Sequence, residues 1–428
     1  MLRRSKKQKL AKEDEEDARI RDTESPSSVY LVVGHGVTRP SYSLFKVNPH
    51  LPANADDGGD TPLPLLPYLA HLTGKHYMSF VSVRSRRHAP WIVGVGGSSA
   101  RNYGPDETIV FDTVMRKEIS GPKLLSTKLC PILLPFGDKI YALARRPAVT
   151  GDVNFVPWFE VLDLSVARVD DDASDRLVGC EWRPLPRPPF FPWDLTPTDY
   201  IFPPVVTVKS HVAVASYILL SITGQTGTHM FDVETEEWRK LDDNDLPFHG
   251  RAVPLQGTGT LYLGLSNTTN AITAYRIKVV SAVQPPPLQA QASHLQGACP
   301  ASAVASPSIT PTGCLSLSIV EIRMVTNFED EEEIVSTGRF IFLDHLPDRP
   351  GFCSFTWSND DPLQFSSLPE HTKELLTIRA YTTEGPLSQD YLESTRTLVI
   401  SNQWKQVYSI CDTVRGLSFP CLAGAISL

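Results

Sequence analysis

The chain has 428 residues, of which 41% are hydrophobic and 21% charged, a balance that indicates a folded globular protein and excludes a largely disordered one. Its formal net charge of −8 argues against broad nucleic-acid binding, which needs a cationic surface to displace the counterions of phosphates. The 36 prolines oppose long helices, because proline lacks an amide donor and disfavours helix in the residue before it.

The first 27 residues form a charged segment that we predict to be a disordered tail. Its basic cluster consists of Arg3, Arg4, Lys6, Lys7 and Lys9. An acidic run, residues 13–17, follows. The basic cluster has two interpretations, a nuclear import signal or simply a solvated tail. Because the segment lacks the apolar core of a secretory signal, we expect an intracellular protein of the cytoplasm, the nucleus or both.

From residue 28 onward, short runs of β-branched and aromatic residues alternate with Gly, Pro, Asn and Asp, which is the pattern of β-strands and turns. The clearest block predicts four strands at residues 77–83, 91–97, 108–113 and 117–119. Turn residues stand at each break, so these strands are predicted to form a four-stranded antiparallel meander.

The same order of strands recurs in the following blocks. The third strand of each ends on a similar marker: Val110-Phe111-Asp112, Val161-Leu162-Asp163, Met230-Phe231-Asp232 and Ala274-Tyr275. The spacing suits propeller blades of about 40 to 50 residues with loop insertions. Since one four-stranded sheet cannot bury both of its faces, successive sheets are expected to pack around an axis. We therefore predict an all-β fold, a β-propeller of six four-stranded antiparallel blades, with Trp182, Trp238 and Trp404 buried between them.

The chain divides into four predicted regions. After the tail, residues 28–280 form the propeller blades. Residues 281–312 are rich in Pro, Ala, Gln and Ser and are predicted to be a disordered loop. Residues 313–428 are expected to supply the remaining blade or blades and the ring closure, in a less regular form.

Several motifs together resemble kelch repeats. The diglycine Gly96-Gly97 precedes an aromatic-ended strand, and residues 138–143 and 159–164 followed by Trp182 keep the kelch order. Over residues 28–280 the chain resembles kelch-type propellers and is similar to plant propeller proteins of unknown function related to F-box-associated proteins. The resemblance implies a kelch-like propeller. No F-box-like helical segment precedes the first strand, so a role in ubiquitin ligation is not carried over.

No catalytic, metal or cofactor motif is found, and we expect none of these sites. The glycines of Gly94-x-Gly96-Gly97 lack a following helix and a phosphate-loop lysine, so they indicate a turn. His71 and His76 are predicted to lie in a loop without ligand spacing. The acidic insert 170–175 lacks the glycine and distal glutamate of a calcium loop. The seven cysteines contain no Cys-x-x-Cys pair, which favours reduced and mostly buried thiols.

Two functions remain open. The first is a non-enzymatic propeller that binds a protein or peptide partner, since loops on a rigid scaffold usually carry binding. The alternative is a propeller enzyme, an oxidase or hydrolase with a site at the channel mouth. We expect a monomer with a protein partner and without nucleic-acid or membrane binding. No run of about 18 apolar residues is present to cross a bilayer.

Overall fold

The computed structural model describes residues 28–36, 40–48, 64–84, 88, 90–98, 107–147, 157–170, 175–191, 196–202, 204–255, 258–282, 314–326, 341–346, 350–359, 374–384, 394–410 and 421–428. Nearly all regular structure in these ranges is β-strand, which confirms the all-β prediction. A five-residue helix, α1, spans Pro197–Ile201. The charged tail with its basic cluster, and residues 283–312 of the predicted loop, lie outside the described residues.

The strands, numbered in chain order, form four-stranded antiparallel sheets. Sheet 1 combines β1 (Val29–His35), β2 (Ser41–Val47) and β3 (Tyr68–Thr73) with β26 (Cys421–Ser427). Its order is β26-β1-β2-β3, so the first and last strands of the described chain are neighbours. Sheet 2 is the predicted meander of β4 (His76–Val83), β5 (Trp91–Ser98), β6 (Glu107–Asp112) and β7 (Lys117–Ser120).

Sheet 3 contains a small insertion. Its strands are β8 (Ile132–Phe136), β9 (Lys139–Leu143), β10 (Phe159–Asp163) and β13 (Trp182–Pro184). Between β10 and β13 the chain forms a separate hairpin of β11 (Arg168–Val169) and β12 (Leu177–Val178).

Sheets 4, 5 and 6 are joined by hydrogen bonds. Sheet 4 consists of β14 (Val208–Val214), β15 (Tyr217–Ile222), β16 (Thr228–Asp232) and β17 (Glu237–Asp242). Sheet 5 consists of β18 (Phe248–Pro254), β19 (Leu261–Ser266), β20 (Ile272–Ala282) and β21 (Cys314–Thr326). Sheet 6 consists of β22 (Ile341–His345), β23 (Gly351–Asn359), β24 (Glu374–Glu384) and β25 (Thr397–Ile410). Parallel pairing of β14 with β18 and of β21 with β25 makes them one twelve-stranded sheet.

The described part of the C-terminal region is more regular than the sequence suggested. Strands β23, β24 and β25 pair over nine and eleven residue positions in continuous antiparallel ladders, with one irregularity near Thr382. The expectation of an irregular C-terminal part is therefore wrong for these strands.

The recurring aspartate at the end of the third strand has a local cause. Asp112 Oδ1 accepts hydrogen bonds from the amides of Val114 at 3.0 Å and Met115 at 2.8 Å. Asp163 and Asp232 accept in the same way from amides two residues on, each at 2.9 Å. Aspartate side chains that bond their own backbone two residues ahead fix a tight turn. The markers thus belong to the turns between the third and fourth strands.

Large apolar side chains fill the spaces between neighbouring sheets. Phe231 of sheet 4 is fully buried, and its ring centroid lies 4.8 Å from that of Phe159 in sheet 3. Trp182 is buried as predicted, and its Nε1 donates to Thr108 Oγ1 of sheet 2 at 2.9 Å. Trp238 and Trp404 are only half-buried, so the prediction was wrong for these two. The indole Nε1 of Trp238 sits near the surface, where it donates to the Pro186 carbonyl at 3.0 Å.

One edge strand of each sheet lies close to the edge strands of neighbouring sheets. Strand β26 contacts β4 and β22, β4 contacts β8, and β18 contacts both β14 and β22. The remaining connection, from sheet 3 to sheet 4, includes a hydrogen bond of 3.1 Å from the Val208 amide to the Arg145 carbonyl. Among the strands of the described residues, no sheet closes on itself by hydrogen bonding.

Candidate functional site

Several polar residues lie on or beside these neighbouring strands of different sheets. We call this group the inner polar cluster. It consists of Arg145, Ser210, His211, Arg251, Asp344, His345 and Ser427. Five of the sheets contribute to it, since Arg145 follows β9 and the others lie on β14, β18, β22 and β26.

Backbone pairing places His211 next to two arginines. In the parallel ladder between β14 and β18, His211 is the register partner of Arg251. The Arg145 carbonyl binds the Val208 amide three residues earlier on β14. The positive charges of both arginines act on the His211 imidazole.

His211 is held neutral by this setting. Its side chain is buried, with 5% exposure. Burial, followed by the charges of Arg145 and Arg251, lowers the pKa of His211 to about 3. The imidazole therefore adds no positive charge to the cluster near neutral pH.

Asp344 supplies the negative charge of the cluster. Its buried carboxylate accepts hydrogen bonds from the Ser427 amide at 2.8 Å and the His345 amide at 2.9 Å, and lies 3.0 Å from His345 Nδ1. Burial opposes ionisation, but the hydrogen bond and charge of His345, the charge of Arg251 and the Ser427 amide outweigh it. The pKa of Asp344 is therefore lowered.

Three polar atoms of the cluster are buried without a hydrogen-bond partner among the described residues. They are Arg145 Nε, Ser210 Oγ and Ser427 Oγ. Buried polar groups are nearly always hydrogen-bonded, and an orphaned one calls for a bound group or an ordered water. Arg251, in contrast, is exposed, so the cluster is reachable from solvent at this residue. Together these groups offer a cationic, donor-rich site on rigid strands.

A model of a protein family of unknown function, DUF1668, matches residues 27–408. The chain belongs to the DUF1668 family. The match reaches from β1 into β25, so the DUF1668 region includes strands of all six sheets and every member of the cluster except Ser427. No match was found among curated proteins. The kelch and plant resemblances stay predictions for this DUF1668 chain.

The structure bears on several residues singled out in the sequence. His71 and His76 lie on β3 and β4 rather than in a loop. Gly96 and Gly97 both have positive φ, 91° and 95°, and the Gly97 amide donates to the Lys128 carbonyl at 2.9 Å. A Cβ on Gly96 would meet that carbonyl at 2.5 Å, so this diglycine serves a close backbone approach.

Two other expectations concern thiols and metals. Of the described cysteine side chains, Cys353 is buried, Cys180 is intermediate, and Cys130 and Cys421 are exposed. The expectation of mostly buried thiols is thus wrong for this subset.

Among the residues that the structure describes, no group of three or more His, Cys, Asp or Glu is placed to hold a metal. In the same residues, no helix has the length and apolar character needed to span a membrane.

An open pocket of about 400 Å³ lies between the β13–α1 region and β15. Its walls include Phe190, Phe191 and Val206, and it contains no member of the inner polar cluster. The amide of Gln225, one of its polar groups, already donates to the Phe190 carbonyl at 2.6 Å. The pocket lining is therefore mixed in polarity, and one of its polar groups is already hydrogen-bonded within the protein.

Sequence reasoning missed the inner polar cluster because its members are far apart in the chain and share no motif. All except Arg145, which follows β9, occupy ordinary strand positions. The one local signal is a polar pair within a strand-like run, as in Asp344-His345, which lies between Leu343 and Leu346. That signal becomes interpretable only once the strand order is known.

The neutral state of His211 has a measurable effect on stability. Because its pKa is lowered in the folded chain, the stability it provides is complete above the unfolded pKa of about 6.5 and is lost as pH falls toward the folded pKa. Between pH 7 and pH 5 the loss is about 2 kcal/mol. We expect His211→Gln to remove this part of the pH dependence, measured by urea unfolding at both pH values.

The matched control is His249→Gln, at an exposed histidine on β18. This variant should keep the wild-type difference in unfolding free energy between pH 7 and pH 5. An unchanged pH dependence in His211→Gln would contradict the assignment of a buried neutral imidazole.

Proposed function

We propose that the six sheets are the blades of a kelch-like propeller, with β4, β8, β14, β18, β22 and β26 as the inner strands. Support comes from contacts that link these strands in the order β8-β4-β26-β22-β18-β14, and from the hydrogen bond between Val208 and Arg145 that joins sheet 3 to sheet 4. Further support comes from sheet 1, in which β26, the last strand of the described chain, pairs with β1, the first. In such a ring the inner polar cluster would line the axis.

We further propose that the protein is a non-enzymatic scaffold that binds a protein or peptide partner at this axis, inside the cell. The observation that carries this proposal is the inner polar cluster itself, in which exposed Arg251 adjoins buried donors without partners. Binding sites are most precise when they are built on rigid strands rather than on loops. The Asp344 carboxylate accepts hydrogen bonds from the Ser427 and His345 amides, so the backbone fixes the position of this negative charge.

The test is site-specific photocrosslinking in native cells. A photoreactive amino acid replaces His249, which is exposed on the inner strand β18, or Arg323, which is exposed on the outer strand β21. We expect the His249 position to crosslink a discrete partner protein and the Arg323 position to crosslink it much less. Equal crosslinking at both positions, or none at His249, would contradict binding at the axis.

A further inference from the structure

We infer that the inner polar cluster binds the carboxylate side chain of an acidic residue in a peptide segment of the partner. This inference rests on the proposed partner-binding function and names the chemistry of the partner. A carboxylate could come from an acidic side chain of a peptide or from a small free carboxylic acid. We infer the peptide, and the experiment below distinguishes the two.

Arg251 differs from the paired arginines elsewhere in the protein. Arg183 makes a two-pronged ion pair with Glu236, including a 3.0 Å bond from Nη1 to Oε2, and Arg239 binds Glu237 at 2.6 Å. Arg251 has no ion pair within 4 Å among the described residues, and it is exposed. A guanidinium without an ion pair has its N–H donors available, and their planar arrangement can bind both oxygens of a carboxylate.

The cluster has an excess of positive charge. Arg145 and Arg251 contribute two positive charges and Asp344 one negative charge, and His345, 3.0 Å from Asp344, adds another when it is protonated. A carboxylate would offset this excess, and its two oxygens match the guanidinium of Arg251.

Two buried hydroxyls belong to the cluster. Ser210 Oγ and Ser427 Oγ are buried, with 0% and 2% exposure of their residues, and lack partners among the described residues. Ser210 pairs with Gly250 one residue before the His211–Arg251 pair, so its side chain lies on the opposite face of β14 from that of His211. The exposed guanidinium of Arg251 is therefore the group that would bind the carboxylate.

The experiment selects peptides from a random dodecapeptide library displayed on phage, using the full purified chain. We expect the enriched peptides to share an Asp or Glu at one position. Binding of a synthetic enriched peptide should fall at least tenfold with Arg251→Ala, and by a similar factor when its acidic residue is changed to the matching amide. Arg251→Lys, which keeps the charge but loses the fork, should recover part of the affinity.

Arg323→Ala, at an exposed arginine of the outer strand β21, is the matched control and should bind the peptide as the wild type does. Thermal unfolding checks that every variant is folded. Enriched peptides without a required acid, or with unchanged affinity for Arg251→Ala, would overturn the carboxylate assignment and leave the proposed function intact. Failure to enrich any peptide would overturn the peptide assignment, whereas the proposed function is tested separately by crosslinking at His249. Succinate that competes as strongly as the peptide would assign the site to a free carboxylic acid and overturn the peptide assignment.

Discussion

Replacing Glu160 by alanine is expected to lower the free energy of unfolding by about 3 to 5 kcal/mol. Glu160 and Lys128 form an ion pair in which both side chains have 0% exposure. The carboxylate also accepts from the Leu125 amide at 2.8 Å and from Ser126 Oγ at 3.2 Å. Without Glu160, the Lys128 ammonium would lose this buried counter-charge, although it would still donate to the Pro157 carbonyl at 2.9 Å. A buried charge that loses its counter-charge is among the most costly defects in a protein core.

The measurement is urea unfolding of the wild type, Glu160→Ala and the double variant Lys128→Met with Glu160→Leu. The double variant removes both charges and keeps apolar volume, so we expect it to be closer to the wild type than the single variant. A double variant as unstable as Glu160→Ala would show that the hydrogen bonds to Leu125 and Ser126, rather than the unpaired lysine, set the cost. A loss of under about 1 kcal/mol in Glu160→Ala would contradict burial of the pair.

Removing residues 421–428 is expected to abolish cooperative unfolding. These residues form β26, which pairs with β1 along its length and buries Ile426 and Leu428 among the side chains of sheets 1 and 2. Loss of a buried Ile or Leu side chain costs about 2 to 5 kcal/mol each, against a total stability of about 5 to 15 kcal/mol. The deletion would also leave the polar backbone edge of β1 unpaired.

A graded series distinguishes this loss from a general intolerance of change in β26. Ile426→Val should cost about 0.5 to 1.5 kcal/mol and Ile426→Ala about 2 to 5 kcal/mol, each with a cooperative transition in circular dichroism. A shortened chain that still unfolds cooperatively with wild-type stability would show that β26 is dispensable, and would count against the proposed ring.

The sequence allowed prediction of those parts of the fold in which local chemistry decides the structure. Aspartates such as Asp112 and Asp232 fix their turns through hydrogen bonds from nearby amides, so the strand–turn–strand order could be predicted. The parallel pairing of β25 with β21 was not predicted, because it joins segments that are far apart in the chain.

The candidate site could not be predicted for a different reason. His211, Arg251 and Asp344 come together only through the pairing of β14 with β18 and the contact of β18 with β22. The buried pair of Lys128 and Glu160 was equally hidden, because a lone charged residue in a linker or strand usually lies at the surface. In both cases the physical cause is a long-range contact, which a local pattern does not encode.

The parallel pairing that merges sheets 4, 5 and 6 also has a consequence for motion. Half of the sheets share one continuous hydrogen-bond network, whereas sheets 1, 2 and 3 are separate in their main-chain pairing. Local opening tends to follow cooperative units, so the twelve-stranded sheet should exchange its amide hydrogens slowly and as one unit. His211 and Arg251 are register partners in the parallel pairing that joins sheets 4 and 5. A ligand bound there would meet backbone that is already paired, so little further backbone freedom would be lost on binding.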